Sequence, residues 1–209
     1  MGFDLYGENP KVVKSFSGKK SKRYEELCAM SYENRDKKGL NDEYWKLNDE
    51  WESNNPGNYF RNNVWWWRPL WEFTCEHCED ILTEEDVTGG CFNDSHVIPE
   101  DKALAIAERL KEALETPETK EYLVRHENAR EKAKKENEKL DEQKEALNKI
   151  AITMTGDKDI VPMNYPKKLK KQFDELLEER NWASSYPINR ENIERFAEFA
   201  EQSGGFSIC

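Results

Sequence analysis

Residues 2–7, Gly-Phe-Asp-Leu-Tyr-Gly, alternate apolar and polar between two glycines, which is the period of a short strand with Phe3 and Leu5 on one face and Asp4 and Tyr6 on the other. From Ser21 to about Trp51 the spacing becomes helical, broken at Gly39, with Tyr24, Leu27 and Cys28 on one stripe and Tyr44, Trp45, Leu47 and Trp51 on another. Asn54-Asn55-Pro56-Gly57-Asn58 ends that stretch with turn residues. The segment Tyr59 to Trp71 then holds four of the seven tryptophans. Trp65, Trp66 and Trp67 cannot share one face, because side chains alternate along a strand and turn by about 100° per residue on a helix. Read as extended up to Pro69, the segment turns Trp66 away from Trp65 and Trp67. Pro69 is then expected in the first turn of a helix through Leu70, Phe73, Thr74 and His77, where its missing N–H costs nothing.

Further on, Thr83-Glu84-Glu85-Asp86 opens a short helix that Gly89-Gly90 ends. Pro99-Glu100-Asp101 opens a helix striped by Leu104, Ala107, Leu110, Ala113 and Leu114, with acids in the first turn, where the helix dipole favours them. Thr116-Pro117 reads as a cap and first residue, and the helix it starts is expected to run to about Ile150. Ala133, Leu140 and Leu147 recur at seven-residue spacing inside a field of Lys and Glu, a seam wide enough for one partner helix or for self-association. Tyr165-Pro166 begins a helix with Leu169, Phe173, Leu176 and Leu177 inward. Asn189 caps a last one with Ile193, Phe196 and Phe199 on one face, ended by Ser203-Gly204-Gly205. The tail Phe206-Ser207-Ile208-Cys209 alternates like a strand and is expected beside the N-terminal one.

These elements predict an α+β, predominantly helical fold: a small sheet formed by the terminal strands, a helical core and a long charged helical arm. Residues 1–116 plus 166–209 are expected to form the aromatic-rich core, and 117–165 the arm with its linker.

Composition adds that aromatics carry this core. Only 36% of the 209 residues are hydrophobic and 36% are charged, but 11% are aromatic, and each large ring buries about 150–250 Å². The formal net charge of −11 argues against general nucleic-acid binding and against adhesion to anionic membrane. The basic run Lys11, Lys14, Lys19, Lys20, Lys22 and Arg23 is a local exception that reads first as a solvated loop. No stretch has the roughly 20 apolar residues of a membrane span, and Met1-Gly2-Phe3-Asp4 is not a signal peptide, so a cytoplasmic protein with reduced thiols is expected.

Cys75 and Cys78 are separated by two residues, and Cys91 and His96 follow; together they offer the ligand count of a Cys3His zinc site. Against it, the first pair lies on a helical pattern and no second Cys-x-x-Cys is present. Asp4, Asn93, Asp94 and His96 form a polar constellation if the first strand approaches the Gly-Gly turn, although Asn93-Asp94 also suits plain turn chemistry. No phosphate loop, serine elbow or HExxH helix is present, so the sequence leans towards a non-enzymatic protein. Arg61, Asn62, Asn63, Trp65, Trp66, Trp67 and Arg68 combine stacking faces, guanidinium groups and amides. That set suits a nucleotide-like small ligand or a protein interface as well as a core.

The start Gly2-Phe3-Asp4-Leu5-Tyr6-Gly7, the block Tyr59 to Trp71, the Phe92-Asn93-Asp94 turn and the ending Phe196 to Phe206 resemble a family of small uncharacterised bacteriophage and bacterial proteins. These islands make up about a third of the chain, and residues 8–55 and 118–165 look like insertions. The resemblance implies a phage-associated setting in the host cytoplasm and no catalytic residues. The resulting expectation is a binding protein that modulates a host or defence component through its Trp/Arg surface. The alternatives are a nucleotide-sequestering or metal-dependent nucleotide-handling protein, and a structural zinc module in a phage assembly.

Overall fold

A computed structural model describes residues 2–209, and its internal contacts divide the chain into two compact units, Met1–Lys120 with Ile188–Cys209, and Glu121–Pro187. The fold is α+β and predominantly helical, with the terminal strands in one small sheet. Residues 166–187, which the sequence pattern groups with the core, cluster with the second unit.

In the first unit, β1 (Gly2–Gly7) leads to three helices, α1 (Gly18–Cys28), α2 (Tyr32–Lys37) and α3 (Asn41–Asn54). Phe16, Tyr24 and Trp51 pack ring on ring, and Arg35 is buried with its Nη1 donating to the Leu27 and Met30 carbonyls at 2.9 and 2.6 Å. Lys20 and Arg23 of the basic run pair with Glu50 and Glu43 of α3. Asn55 ends α3 and ties it back to the chain, its Oδ1 accepting from the Val13 and Lys14 amides at 2.8 and 3.0 Å.

Strand β2 (Tyr59–Asn63) follows, then α4 (Val64–His77), α5 (Glu84–Gly89), β3 (His96–Ile98), α6 (Glu100–Glu115) and α7 (Pro117–Thr155). After the second unit come α9 (Arg190–Gln202) and β4 (Phe206–Ile208); α8 (Lys167–Glu178) lies within that unit. The sheet order is β2-β1-β4-β3, antiparallel throughout. Its register sets Phe3 opposite Asn62, Leu5 between Phe60 and Ile208, and Ile98 opposite Phe206. Phe3, Leu5, Phe60, Ile98, Phe206 and Ile208 are buried, and among them Phe3 packs on Trp67 of α4 while Phe60 and Phe206 pack on Phe196 and Phe199 of α9. Gly204 and Gly205 adopt φ of 63° and 90° on the way into β4, and a side chain on Gly204 would strike the Asn9 backbone.

The tryptophan run differs from its extended reading. Asn63 caps α4, its Oδ1 accepting from the Trp65 and Trp66 amides at 3.0 and 3.1 Å, so the helix begins five residues before Pro69. Pro69 then lies inside the helix and removes the bond to the Trp65 carbonyl, at a cost of about 3 kcal/mol. Burying Trp67, Leu70 and Trp71 on one face, at about 1.5–3 kcal/mol each, exceeds that cost. The α6 stripe also shifts: Ala103 and Ile106 are buried, whereas Leu104 is half-buried.

In the second unit, Ala151, Ile160, Tyr165 and Leu169 form a small core flanked by Leu147, Ile152 and Phe173. Asn137 is buried on α7; its Nδ2 donates to the Asn181 carbonyl and Ser184 Oγ at 2.9 Å, and its Oδ1 accepts from the Asn181 amide at 3.0 Å. Ala133 of the seven-residue seam is buried, and Leu140 and Leu147 are half-buried. No helix of the described residues is long and apolar enough to cross a membrane.

Trp67→Ala should lower the unfolding free energy by about 3–5 kcal/mol, the range for removing a buried aromatic. Denaturant titration should show a lower midpoint with an unchanged slope; a loss within about 1 kcal/mol would mean that the indole does not organise the core.

Candidate functional site

Because α4 starts at Asn63, the helical turn per residue sends Trp67 inward and leaves Trp65, 39% exposed, and half-buried Trp66 outside. Trp71, one turn beyond Trp67, stacks on it with ring centres 5.4 Å apart and planes 17° apart. Both indoles then donate to the backbone across from α4: Trp67 Nε1 to the Gly90 carbonyl at 2.7 Å and Trp71 Nε1 to the Val87 carbonyl at 3.1 Å. These bonds satisfy two buried N–H groups and hold α5 at a fixed distance from α4.

The α5 segment is secured from behind as well. Thr83 and Asp86 form a reciprocal cap, and Asp86 also receives Lys102 Nζ and contacts His96 Nε2 at 3.0 Å. Burial alone would raise the Asp86 carboxyl, but the hydrogen bonds from Lys102, the Thr83 backbone and His96 outweigh it and hold the group well below the usual carboxylate range. A side chain on Gly89 would meet the His96 ring, and one on Gly90 would meet the Trp71 indole, so both glycines permit close approach.

Between α4 and α5 this arrangement leaves a groove of about 1030 Å³. Its floor is Trp67, Trp71, Cys75 and Leu82, and its far wall is Val87, Cys91 and Phe92, with Phe92 57% exposed. Glu72, Glu76, Glu79 and Glu84 stand around it, and Arg68 is the one basic residue among those that line it. All four glutamates are exposed. Glu72 and Glu76 lie one turn apart along one edge of α4, and Glu79 follows in the turn after the helix. That acidic stripe was visible in the sequence, whereas Val87 and Phe92 gave no signal, because only folding brings α5 opposite α4.

The seven residues of the expected Trp/Arg surface do not form one face. Trp67 and Arg68 line the groove. Asn63 is committed to its cap, and Asn62 is buried with its Nδ2 donating to Asn192 Oδ1 at 3.1 Å. Arg61 lies on β2, 3.3 Å from Asp4, and lines a separate cavity of about 480 Å³ with Arg195, Asp49, Glu52 and Glu198. The reason is the change from strand to helix at Asn63, which turns neighbours in sequence towards different surroundings.

The cysteine set is likewise not assembled as a metal site. Among the described residues no group of three or more His, Cys, Asp and Glu side chains is placed to hold a metal ion. Cys78 follows α4 and is fully buried, His96 contacts Asp86, and Cys91 Sγ donates to the Val87 carbonyl at 3.4 Å. Burial, reinforced by Cys91 and Cys78, pushes the Cys75 thiol up to about 12, and burial pushes Cys78 up to about 11, so both stay protonated at neutral pH. The Asp4, Asn93, Asp94 and His96 constellation is also split: Asp4 accepts from Tyr59 and pairs with Arg61, and Asn93 Nδ2 donates to the Gly2 carbonyl.

No family model matches the chain, and neither a curated protein nor a solved structure matches it.

Asp86→Asn should destabilise the protein by about 1–3 kcal/mol at neutral pH. Because the folded pKa is depressed, the ionised group stabilises fully above the unfolded value of about 3.9, and this contribution fades as pH falls towards the lower folded value. The stability gap between wild type and variant should therefore be constant above about pH 5 and close below about pH 4; a gap independent of pH would contradict the assignment. A thiol reagent at mildly alkaline pH should label exposed Cys28 and Cys91 first, with Cys78 protected until unfolding.

Proposed function

We propose that this protein is a non-enzymatic binding module whose α4–α5 groove captures a basic, amphipathic segment of another protein. The observation that carries this reading is the pairing of an apolar floor and wall with a rim of four glutamates and one arginine. Apolar area supplies affinity, and the rim selects the sign of the partner. Glu72 and Glu76, one turn apart on α4, match Lys or Arg at the same spacing on a segment that lays its apolar face inward. The same rim repels phosphate, so a nucleotide is a poor occupant. In the phage-associated setting that the sequence resemblance implies, the captured segment belongs to a host or defence component.

Trp67 and Trp71 lie in the groove and provide the signal for a test. Titration with a lysine-rich amphipathic helical peptide should change tryptophan emission and saturate, with affinity falling as salt rises. Glu72→Lys combined with Glu76→Lys should weaken binding by about tenfold or more while leaving the fold intact, because both side chains are exposed. Equal binding of an acidic peptide with the same apolar face would overturn the reading.

A further inference from the structure

The first unit holds a second cavity that shares no lining residue with the groove. Its volume of about 480 Å³ falls within the range of small-molecule sites, about 300–1,000 Å³. The end of α3 contributes Asp49 and Glu52, three positions apart and so close to one face of the helix. The last turn of α3 carries no basic residue, and the helix dipole adds partial negative charge there. Strand β2 contributes Arg61, and α9 contributes Arg195 with Glu198 one turn later. Among the described residues, none of these five charges is ion-paired with another. Arg61 meets Asp4, which does not line the cavity, at 3.3 Å, and the Arg195 guanidinium stands over the Phe60 ring at 5.6 Å. Glu52 is half-buried. Burial pushes its carboxyl up, the Asn48 amide, donating to Oε1 at 2.7 Å, draws it down, and Asp49 pushes it up again, so the group stands above its ordinary value. A carboxylate withdrawn from water in this way is stabilised by a cation that the chain itself does not supply.

We infer that this cavity binds a small zwitterionic molecule, of the size of an amino acid or a dipeptide, with its ammonium at Asp49 and Glu52 and its carboxylate at Arg61 and Arg195. Guanidinium groups match a carboxylate in shape as well as charge, and an ammonium donates to several carboxylate oxygens at once. A simple anion placed here meets the repulsion of Asp49, Glu52 and Glu198, and a simple cation meets that of Arg61 and Arg195. A molecule that carries both charges relieves both walls together. The site is independent of the α4–α5 groove, so occupancy of one leaves the lining of the other untouched.

The test is titration of the full chain, followed by backbone amide NMR shifts, with glycine, γ-aminobutyrate and diglycine, whose two charges stand progressively further apart. At least one of the three should bind saturably at one per chain and shift amides around Asp49–Arg61 and Arg195–Phe199. The N-acetyl and the C-amide forms of that compound, each lacking one charge, should bind about tenfold or more weakly. Arg195→Gln and Glu52→Gln should each weaken the uncapped compound to the same extent with unchanged circular dichroism, because Arg195 is exposed and a glutamine at position 52 still accepts from Asn48. Both variants should still bind the lysine-rich peptide, since neither residue lines the groove, and the groove reading therefore stands or falls on that peptide alone. Binding by none of the three compounds, or binding that the capped forms or the two variants leave unchanged, overturns the inference. Inorganic phosphate binding as tightly as the best zwitterion would assign the arginines to an anion site and likewise overturn it.

Discussion

The indole of Trp67 is the contact on which the first unit depends. It stacks on Phe3 of β1 with ring centres 5.4 Å apart, stacks on Trp71 along its own helix, meets Phe196 of α9 edge-on, and donates its N–H to the Gly90 carbonyl beyond α5. One side chain thus joins the sheet, two helices and the wall of the groove. The chain is short of aliphatic residues, so broad rings must supply the apolar area that smaller side chains share in other cores. A buried indole also demands a partner for its N–H, and meeting that demand is what positions α5.

The groove is therefore an outgrowth of the core, not a separate device on the surface. Its floor is the far side of the same aromatic stack, and its wall stands where two indole N–H bonds place it. Asp86 adds a second constraint from behind by linking α5 to His96 at β3 and Lys102 of α6. With both sides fixed, an apolar cleft stays open next to exposed carboxylates. The acidic balance of the chain is expressed locally around the groove, where four glutamates stand against one arginine.

Much of the fold was legible because its signals are local. The alternation in Phe3 and Leu5, the cap at Asn189 and the acids that open α6 each act within a few residues and appear where the sequence places them. The tryptophan block was harder because two local signals compete there. Pro69 argues for a helix start at itself, Asn63 argues for one earlier, and the burial of Trp67, Leu70 and Trp71 favours the earlier start. Strand β3 was not apparent, since His96–Ile98 is short and gains its hydrogen bonds only from β4, whereas the extended reading of the tryptophan segment holds for its first five residues, which pair with β1 as β2. The cysteines suggested a metal by spacing alone, but spacing does not specify direction, and the end of α4 turns Cys78 into the core.

The sequence by itself determined the helical character, the strand period at each end, and the reliance on aromatic side chains. These follow from periodicity, capping and composition, which need no knowledge of distant neighbours. The tertiary structure decided which rings of the tryptophan run are core and which residues stand together as a site. Glu72 and Phe92 are twenty positions apart and become two sides of one groove only when Trp67 and Trp71 fasten α5 to α4. Such pairings depend on long-range packing and on satisfying buried donors, and no short window of sequence contains either.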